Sequence, residues 1–354
     1  MNENNNFLAG VLLAGSRALA GYTSGELLEK YPPAAEGFEP DSFAGWQDWL
    51  NVRLDELAAA VGANRPQLFI SQVHWGKRVL QSRGIPSENY RKAMECLREV
   101  LANELPEQVR LLATEYIDQA LKAFDAPSAE LSARIPADTE TGRLASQYLL
   151  LLLEGDRRRA SQLIIEALDR GHNVRELYTQ VLMPAQEELG RMWIDNEINV
   201  AEEHFASQTT RNVMAQLLPH ATLQPSNGKT MIAAAVAGNQ HDIGLQIVAN
   251  FFEIDGWRSI LLGANVPVRD LAQAVDYFEA DLLGISVSQI TQLGAVKRTI
   301  QAVKNSTRDG AVKIMLGGRA FKYAEDLPKE LGADAYAADP KEAVNLGRQL
   351  VGLE

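Results

Sequence analysis

The sequence predicts an α plus α/β chain: an amino-terminal set of helices, then a four-helix bundle, then a Rossmann-like parallel sheet of five strands covered by helices. Three observations lead there. Apolar residues recur at helical spacing from about residue 42 to residue 218. Beyond residue 229 the period changes, and five apolar runs of strand length alternate with five helical patterns, as in a parallel sheet with crossover helices. Two segments, 125–140 and 222–229, are rich in small residues, Pro and polar residues and read as linkers between three parts.

The first part, 1–125, opens with a helical pattern from Phe7 to Leu19, then loop signals at Gly21-Tyr22-Thr23-Ser24 and Pro32-Pro33. Helices follow over 42–61, 66–83, 87–103 and 106–124, with Pro66 well placed at a helix start. In the linker 125–140, Leu131 and Ile135 are the apolar residues with a reason to pack. The second part, 141–221, holds helices over 141–154, 156–170, 174–195 and 199–218. Its joints, Gly155-Asp156 and Gly171-His172-Asn173, are short, which favours antiparallel neighbours in a bundle. The third part, 229–354, has strands at 230–237, 257–262, 281–287, 312–316 and 333–337 and helices at 243–255, 267–279, 290–305, 320–331 and 340–352.

Composition excludes several functions. With 46 acidic and 34 basic residues the net charge is −12, which argues against gripping a phosphate backbone, so no direct nucleic-acid partner is expected. The one cysteine, Cys96, cannot form an internal disulfide, and a reducing cytoplasm fits best. Met1 to Asn6 carry no basic residue ahead of the apolar stretch Phe7–Ala14, unlike a signal peptide. The longest apolar run, Tyr148–Leu153, is far short of the ~20 residues that span a bilayer, so no membrane is expected. With five histidines and one cysteine there is little room for a zinc cluster, and any metal would bring most of its own ligands.

Open parallel sheets bind ligands beyond the carboxyl ends of their strands, which directs attention to the loops after residues 237, 262, 287 and 316. The first reads Gly238-Asn239-Gln240-His241-Asp242-Ile243-Gly244, with an imidazole just past the strand and Gly244 allowing close backbone approach. The third-strand loop carries Ser286 and Ser288, and the fourth carries Gly317-Gly318. Together they describe a slot for a large flat or long ligand. No glycine fingerprint follows the first strand, so a dinucleotide is not expected. Alone, His241 reads as an ordinary loop histidine. Its coincidence with the small-residue loops favours a metal ligand.

Asn239-x-His241-x-x-Gly244, Ser286 and Gly317-Gly318 resemble the D-x-H-x-x-G, S-x-L and GG signature of cobalamin-binding Rossmann domains. The resemblance covers 229–354. It implies base-off, His-on binding, with His241 replacing the cofactor's own base below cobalt, Asp242 and Gly244 beside it, and the nucleotide tail passing Ser286, Ser288, Gly317 and Gly318. It also implies that 141–221 is the helical cap over the corrin. Two positions depart from the pattern. Asn239 stands where the family has an acid; it can accept the imidazole's distal N–H but adds no charge, so its push on the ligand is weaker. Ser288 stands where S-x-L has leucine.

In the cap, Trp193 and Glu203-His204 fall as W-x9-EH, a run that resembles the cap of CarH-type photoreceptors using adenosylcobalamin. That resemblance implies an upper pocket in which the indole packs on the adenosyl group while carboxylate and imidazole hydrogen-bond it. The plainer alternative makes Trp193 core and Glu203-His204 a solvated face. Ile194, next to the Trp, cannot ligate cobalt, so water or a residue such as His204 would have to take the upper site after illumination. Segment 68–125 resembles globin-like helical sensor modules, and such a module ahead of this cap resembles the photocobilins, which add biliverdin. His74, Trp75, Lys77 and Arg78 form a cationic and aromatic group able to meet bilin propionates, without need of Cys96. Haem on His74 is the weaker rival.

The leading expectation is therefore a non-enzymatic light sensor binding adenosylcobalamin, with biliverdin as second chromophore. Photolysis of its Co–C bond would change domain or quaternary arrangement in a light-dependent homo-oligomer. No output domain is visible, so the signal would pass to a protein partner or to a further part of a longer chain. The main alternative is a corrinoid protein that carries methyl groups in a methyltransferase system; it shares the cap, the sheet and His241. A third reading is a cobalamin-responsive switch without a light role.

Overall fold

The computed structural model describes residues 3–126, 135–136, 138–305 and 312–353. Its contacts divide the chain into two compact units, Met1–Glu130 and Leu131–Glu354. As the change of period predicts, helices fill the first unit and the start of the second, and a five-stranded parallel sheet ends the chain.

The first unit holds α1 (Glu3–Lys30), α2 (Ser42–Gly62), α3 (Pro66–Ser82), α4 (Ser87–Glu104) and α5 (Glu107–Ala123). Helix α1 runs through the Gly21–Ser24 segment that reads as loop in the sequence. The Thr23 and Ser24 hydroxyls, both fully buried, turn back on the carbonyls of Leu19 and Ala20 at 2.8 Å, so the helix satisfies them itself. Asp41 starts α2 by accepting the Ala44 N–H. At the end of α5, His74 Nε2 lies 2.7 Å from the Ala123 carbonyl and Lys77 donates to the Phe124 carbonyl at 2.9 Å. Lys77 and Arg91 also lie over the Phe124 ring. His74 and Lys77 thus meet carbonyls that a helix end leaves without partners.

The second unit begins with four helical rods: α6 (Glu140–Leu153), α7 (Arg157–Asp169), a composite third rod and α10 (Val200–Leu217). The third rod comprises α8 (Val174–Leu177), a π-helical turn (Tyr178–Leu182) and α9 (Met183–Ile194). Pro184 explains the break, because it has no N–H to give Gln180 and its ring crowds that carbonyl; a widened turn relieves both. The short joints end one helix and start the next. Gly155 and Gly171 adopt positive φ, 73° and 99°, and Asp156 and Asn173 then accept the N–H groups of Arg159 and Glu176.

The sheet contains β1 (Thr230–Val236), β2 (Arg258–Val266), β3 (Leu282–Ser286), β4 (Lys313–Gly317) and β5 (Ala335–Ala337). Its order is β2-β1-β3-β4-β5 with every pairing parallel. Its helices are α11 (Ile243–Ile254), α12 (Val268–Tyr277), α13 (Leu293–Lys304), α14 (Leu327–Glu330) and α15 (Pro340–Leu350). Strand β2 runs four residues past its expected end. Helix α14 is only one turn long, since Pro328 cannot donate back to residue 324 and so prevents a longer helix. The chain leaves β1 toward β2 on one side, while β3 pairs on the other, which opens a crevice beyond the carboxyl ends of β1 and β3.

Bundle and sheet share one hydrophobic core, with Tyr148, Ile164, Tyr178 and Met214 from the bundle and Met231, Phe252, Trp257 and Leu282 from the sheet layer. Ile135 packs against this core, whereas Leu131 lies outside the described residues. Among the described residues, no helix is long and apolar enough to cross a membrane.

Candidate functional site

The loop between β1 and α11 is pinned from three directions by uncharged amides. Asn239 is fully buried; its Oδ1 accepts the His241 backbone N–H at 3.0 Å and its Nδ2 donates to the Ser286 carbonyl at 3.0 Å. Asn265, at the end of β2 and in the left-handed region at φ 54°, accepts the Gly238 N–H at 2.7 Å and donates its own N–H to the Asn239 carbonyl. Gln292, buried ahead of α13, donates to the Gly238 carbonyl and accepts the N–H groups of Ser288 and Gln289 at 3.0 and 3.1 Å. The loops after β1, β2 and β3 are thereby stitched together, and the His241 side chain stands exposed on this frame.

The role of Asn239 differs from the one expected. Its oxygen meets the His241 backbone rather than the imidazole, and its NH₂ meets a carbonyl that a carboxylate would repel. Asparagine suits this position because it can donate as well as accept.

His241, Ser286, Ser288, Gly317 and Gly318 gather at the carboxyl ends of β1, β3 and β4. Gly318, at φ 110°, is required by the fold: a Cβ there would stand 2.3 Å from the Val287 carbonyl oxygen. The close approach permitted by Gly317-Gly318 is thus first that of neighbouring backbone. Gly244 differs, since no atom lies within 4 Å of the place a Cβ would take. An exposed imidazole, an open Gly244 and exposed Gly238 fit a bulky flat group with a metal at its centre. Among the described residues, no three His, Cys, Asp or Glu side chains are grouped to hold a metal ion.

Asp242 occupies the N-cap position of α11 but makes no side-chain cap bond. Its Oδ1 instead accepts Nε and Nη2 of Arg211, on α10, at 3.1 and 2.7 Å. On the same helix the Glu203 carboxylate bonds His204 Nδ1 at 2.7 Å and the Ser207 hydroxyl. From Ser207 a polar row continues through Gln186 and Thr210 to the fully buried Tyr148 hydroxyl, whose ionisation burial pushes above its ordinary range. The His204 side chain is exposed, Trp193 is half-buried against the core and Ile194 is buried. Tyr178, in the π turn, donates to the Met214 carbonyl and accepts from Asn250 of α11 at 2.9 Å.

Arg211, Asn265 and Gln292 escape sequence reasoning. Arg211 had a usable signal, because it lies seven residues after His204 and hence on the same helix face. Asn265 and the Gln292 bond to Gly238 had none, since those partners are backbone groups of a loop distant in sequence.

Residues 229–345 match a family model described as a B12 binding domain, and residues 144–218 match a second with the same description. The dimethylamine corrinoid protein 3 of Methanosarcina mazei is 27% identical over 164 residues, 46% of this chain and 95% of that protein. Its namesake from Methanosarcina acetivorans is 31% identical over 121 residues, 34% of this chain and 56% of the other. The solved monomethylamine corrinoid protein of Methanosarcina barkeri covers 59% of this chain and 98% of its own at 20% identity, with a TM-score of 0.53, a likeness of fold. The chain therefore carries a cobalamin-binding region in two sequence stretches, folded within one compact unit.

These relatives correct the light-sensor expectation, for they are corrinoid proteins of methylamines and not photoreceptors. The residues behind that expectation also have partners within the protein. Glu203 is engaged by its own helix neighbours, and His74 and Lys77 close the end of α5. The comparisons reach a corrinoid cofactor and not an adenosyl upper group, biliverdin or light-dependent assembly.

Proposed function

We propose that this protein is a corrinoid methyl carrier, which holds a cobalamin-type cofactor and presents it to methyltransferase partners without being the catalyst itself. One joint observation supports the reading. Two stretches that match B12 binding domains fold as one unit, an exposed imidazole stands at the sheet's switch point, and the curated relatives are corrinoid proteins.

The bound corrinoid supplies the chemistry, a cobalt centre that takes a methyl group from one partner and yields it to another. The chain's residues hold and orient that group. His241 would offer the lower nitrogen from a loop already fixed by Asn239, Asn265 and Gln292, so little ordering is left for binding to impose. Gly238 and Gly244 leave room for the ring, and Ser286, Ser288, Gly317 and Gly318 line the way for its tail. Trp193, Glu203 and His204 would meet the cofactor from the bundle, and Ile194 would offer it no ligating atom.

The test is transfer itself. Protein loaded in darkness with methylcobalamin is mixed with a purified methylcobalamin:thiol methyltransferase and its thiol, and loss of the methyl form is followed by absorption. Transfer about ten-fold or more faster than from free methylcobalamin at equal concentration is expected, the gain from presenting a bound group in place. Equal rates would contradict the carrier reading.

A further inference from the structure

The residue after His241 is tied to the bundle rather than to its own helix. Asp242 starts α11 with its backbone, the carbonyl accepting the Gln246 N–H at 2.8 Å, yet its carboxylate leaves the helix end uncapped. An aspartate at an N-cap ordinarily gives that carboxylate to the first turn. Here one oxygen takes two N–H groups of Arg211 across the bundle–sheet boundary. The two side chains are 32% and 21% exposed, so the pair is partly shielded from water. Two further contacts bring the bundle onto α11: Tyr178 with Asn250, and Arg175 stacked over the Phe251 ring. His241 therefore stands between two anchors of different origin. Asn239 holds its backbone N–H from the sheet side, and Arg211 holds the next residue from the bundle side.

We infer that Arg211, acting through Asp242, is a positioning residue for His241, so that the imidazole is held ready for cobalt while the bundle is seated on the sheet and loosens when the bundle shifts. The inference rests on the reading of His241 as lower ligand. Arg211 touches neither cofactor nor methyl group in this role. Its effect passes through the first turn of α11, where the Asn239 bond to the His241 N–H on one side and the two Arg211 bonds to the Asp242 carboxylate on the other restrict the segment that carries the imidazole. With the bundle-side pair gone, Asn239, Asn265 and Gln292 still hold the loop before the imidazole, but the residue after it keeps only its own helix bond to Gln246 and loses its tie to the bundle.

The experiment reads the lower ligand directly. Cobalamin reduced to its paramagnetic cobalt(II) form is bound to the wild type and to Arg211→Gln, Arg211→Lys, Asp242→Asn and His241→Ala. With the protein's histidines labelled with 15N, electron paramagnetic resonance then reports whether a histidine nitrogen splits the cobalt lines, giving doublets in place of the triplets that the cofactor's own 14N base would give. After that check, triplets are read on unlabelled protein. The wild type and Arg211→Lys should show full triplets, and His241→Ala none. Arg211→Gln and Asp242→Asn should move the equilibrium between His-on and His-off protein about five-fold toward His-off, the scale of a partly shielded ion pair. Unchanged circular dichroism should accompany that shift, and either variant suffices if the other fails to fold. Full wild-type triplets in both neutral variants would overturn the positioning role while leaving His241 as ligand. Absence of triplets in the wild type, or their survival in His241→Ala, would overturn the ligand assignment and the inference with it.

Discussion

At the scale of single residues, Asn239 shows most clearly what the sequence could and could not reveal. Its place two residues before a histidine was legible, and so was its lack of charge. Its partners were not, because the Ser286 carbonyl is 47 residues away in the chain and comes close only through the β1–β3 pairing. In Asn239→Asp a buried carboxylate would face that carbonyl, which we expect to destabilise the second unit by about 2–3 kcal/mol at neutral pH. Protonation would restore a donor, so the loss should shrink as pH falls, and melting curves across pH measure both effects. An unchanged melting temperature at pH 7 would show that the new carboxylate finds another partner, such as the imidazole.

At the scale of elements, long periodic helices and the central strands were readable because one apolar face dominates each. The ends were less so. Helix α1 continues through Gly21–Ser24 because two hydroxyls bond within the helix, and Pro184 widens a turn instead of ending the rod. The meeting of α2, α3 and α4 was also hidden. There Arg53 and Glu56 form a buried ion pair on α2, while Gly76 of α3 leaves room for Arg53 and the Tyr90 hydroxyl of α4. Burial pushes the Glu56 carboxyl from 4.5 up to about 7, against the pull of Arg53. Between those values the folded unit keeps a proton that the unfolded chain has released. Stability of the first unit should therefore fall as pH rises from about 4.5 to about 7 and flatten above, by at most about 3 kcal/mol. Thermal melting at a series of pH values measures the slope. Asp55 is shifted the same way, so comparison with Glu56→Gln isolates Glu56. An identical slope in the variant would remove Glu56 as its source.

At the scale of the molecule, the change of apolar period located the sheet, and the loop rule located its ligand end. One histidine and three small-residue loops pointed to a slot for a large ligand, and the resemblance of their motifs to cobalamin-binding domains supplied the kind of cofactor. Its use did not follow, because Trp193 and the Glu203-His204 pair suit a packed, hydrogen-bonded cap as well as an adenosyl pocket. The two matched stretches lie within 144–345, so the helices of the first unit fall outside them. Few histidines and a single cysteine agree with a cofactor that brings its own equatorial ligands and asks the chain for one more. The most direct measurement is the absorption spectrum of bound cobalamin in the wild type and in His241→Ala. A wild-type spectrum of histidine-ligated cobalamin that becomes a base-off spectrum in the variant is the predicted result; identical spectra in the two proteins would contradict it.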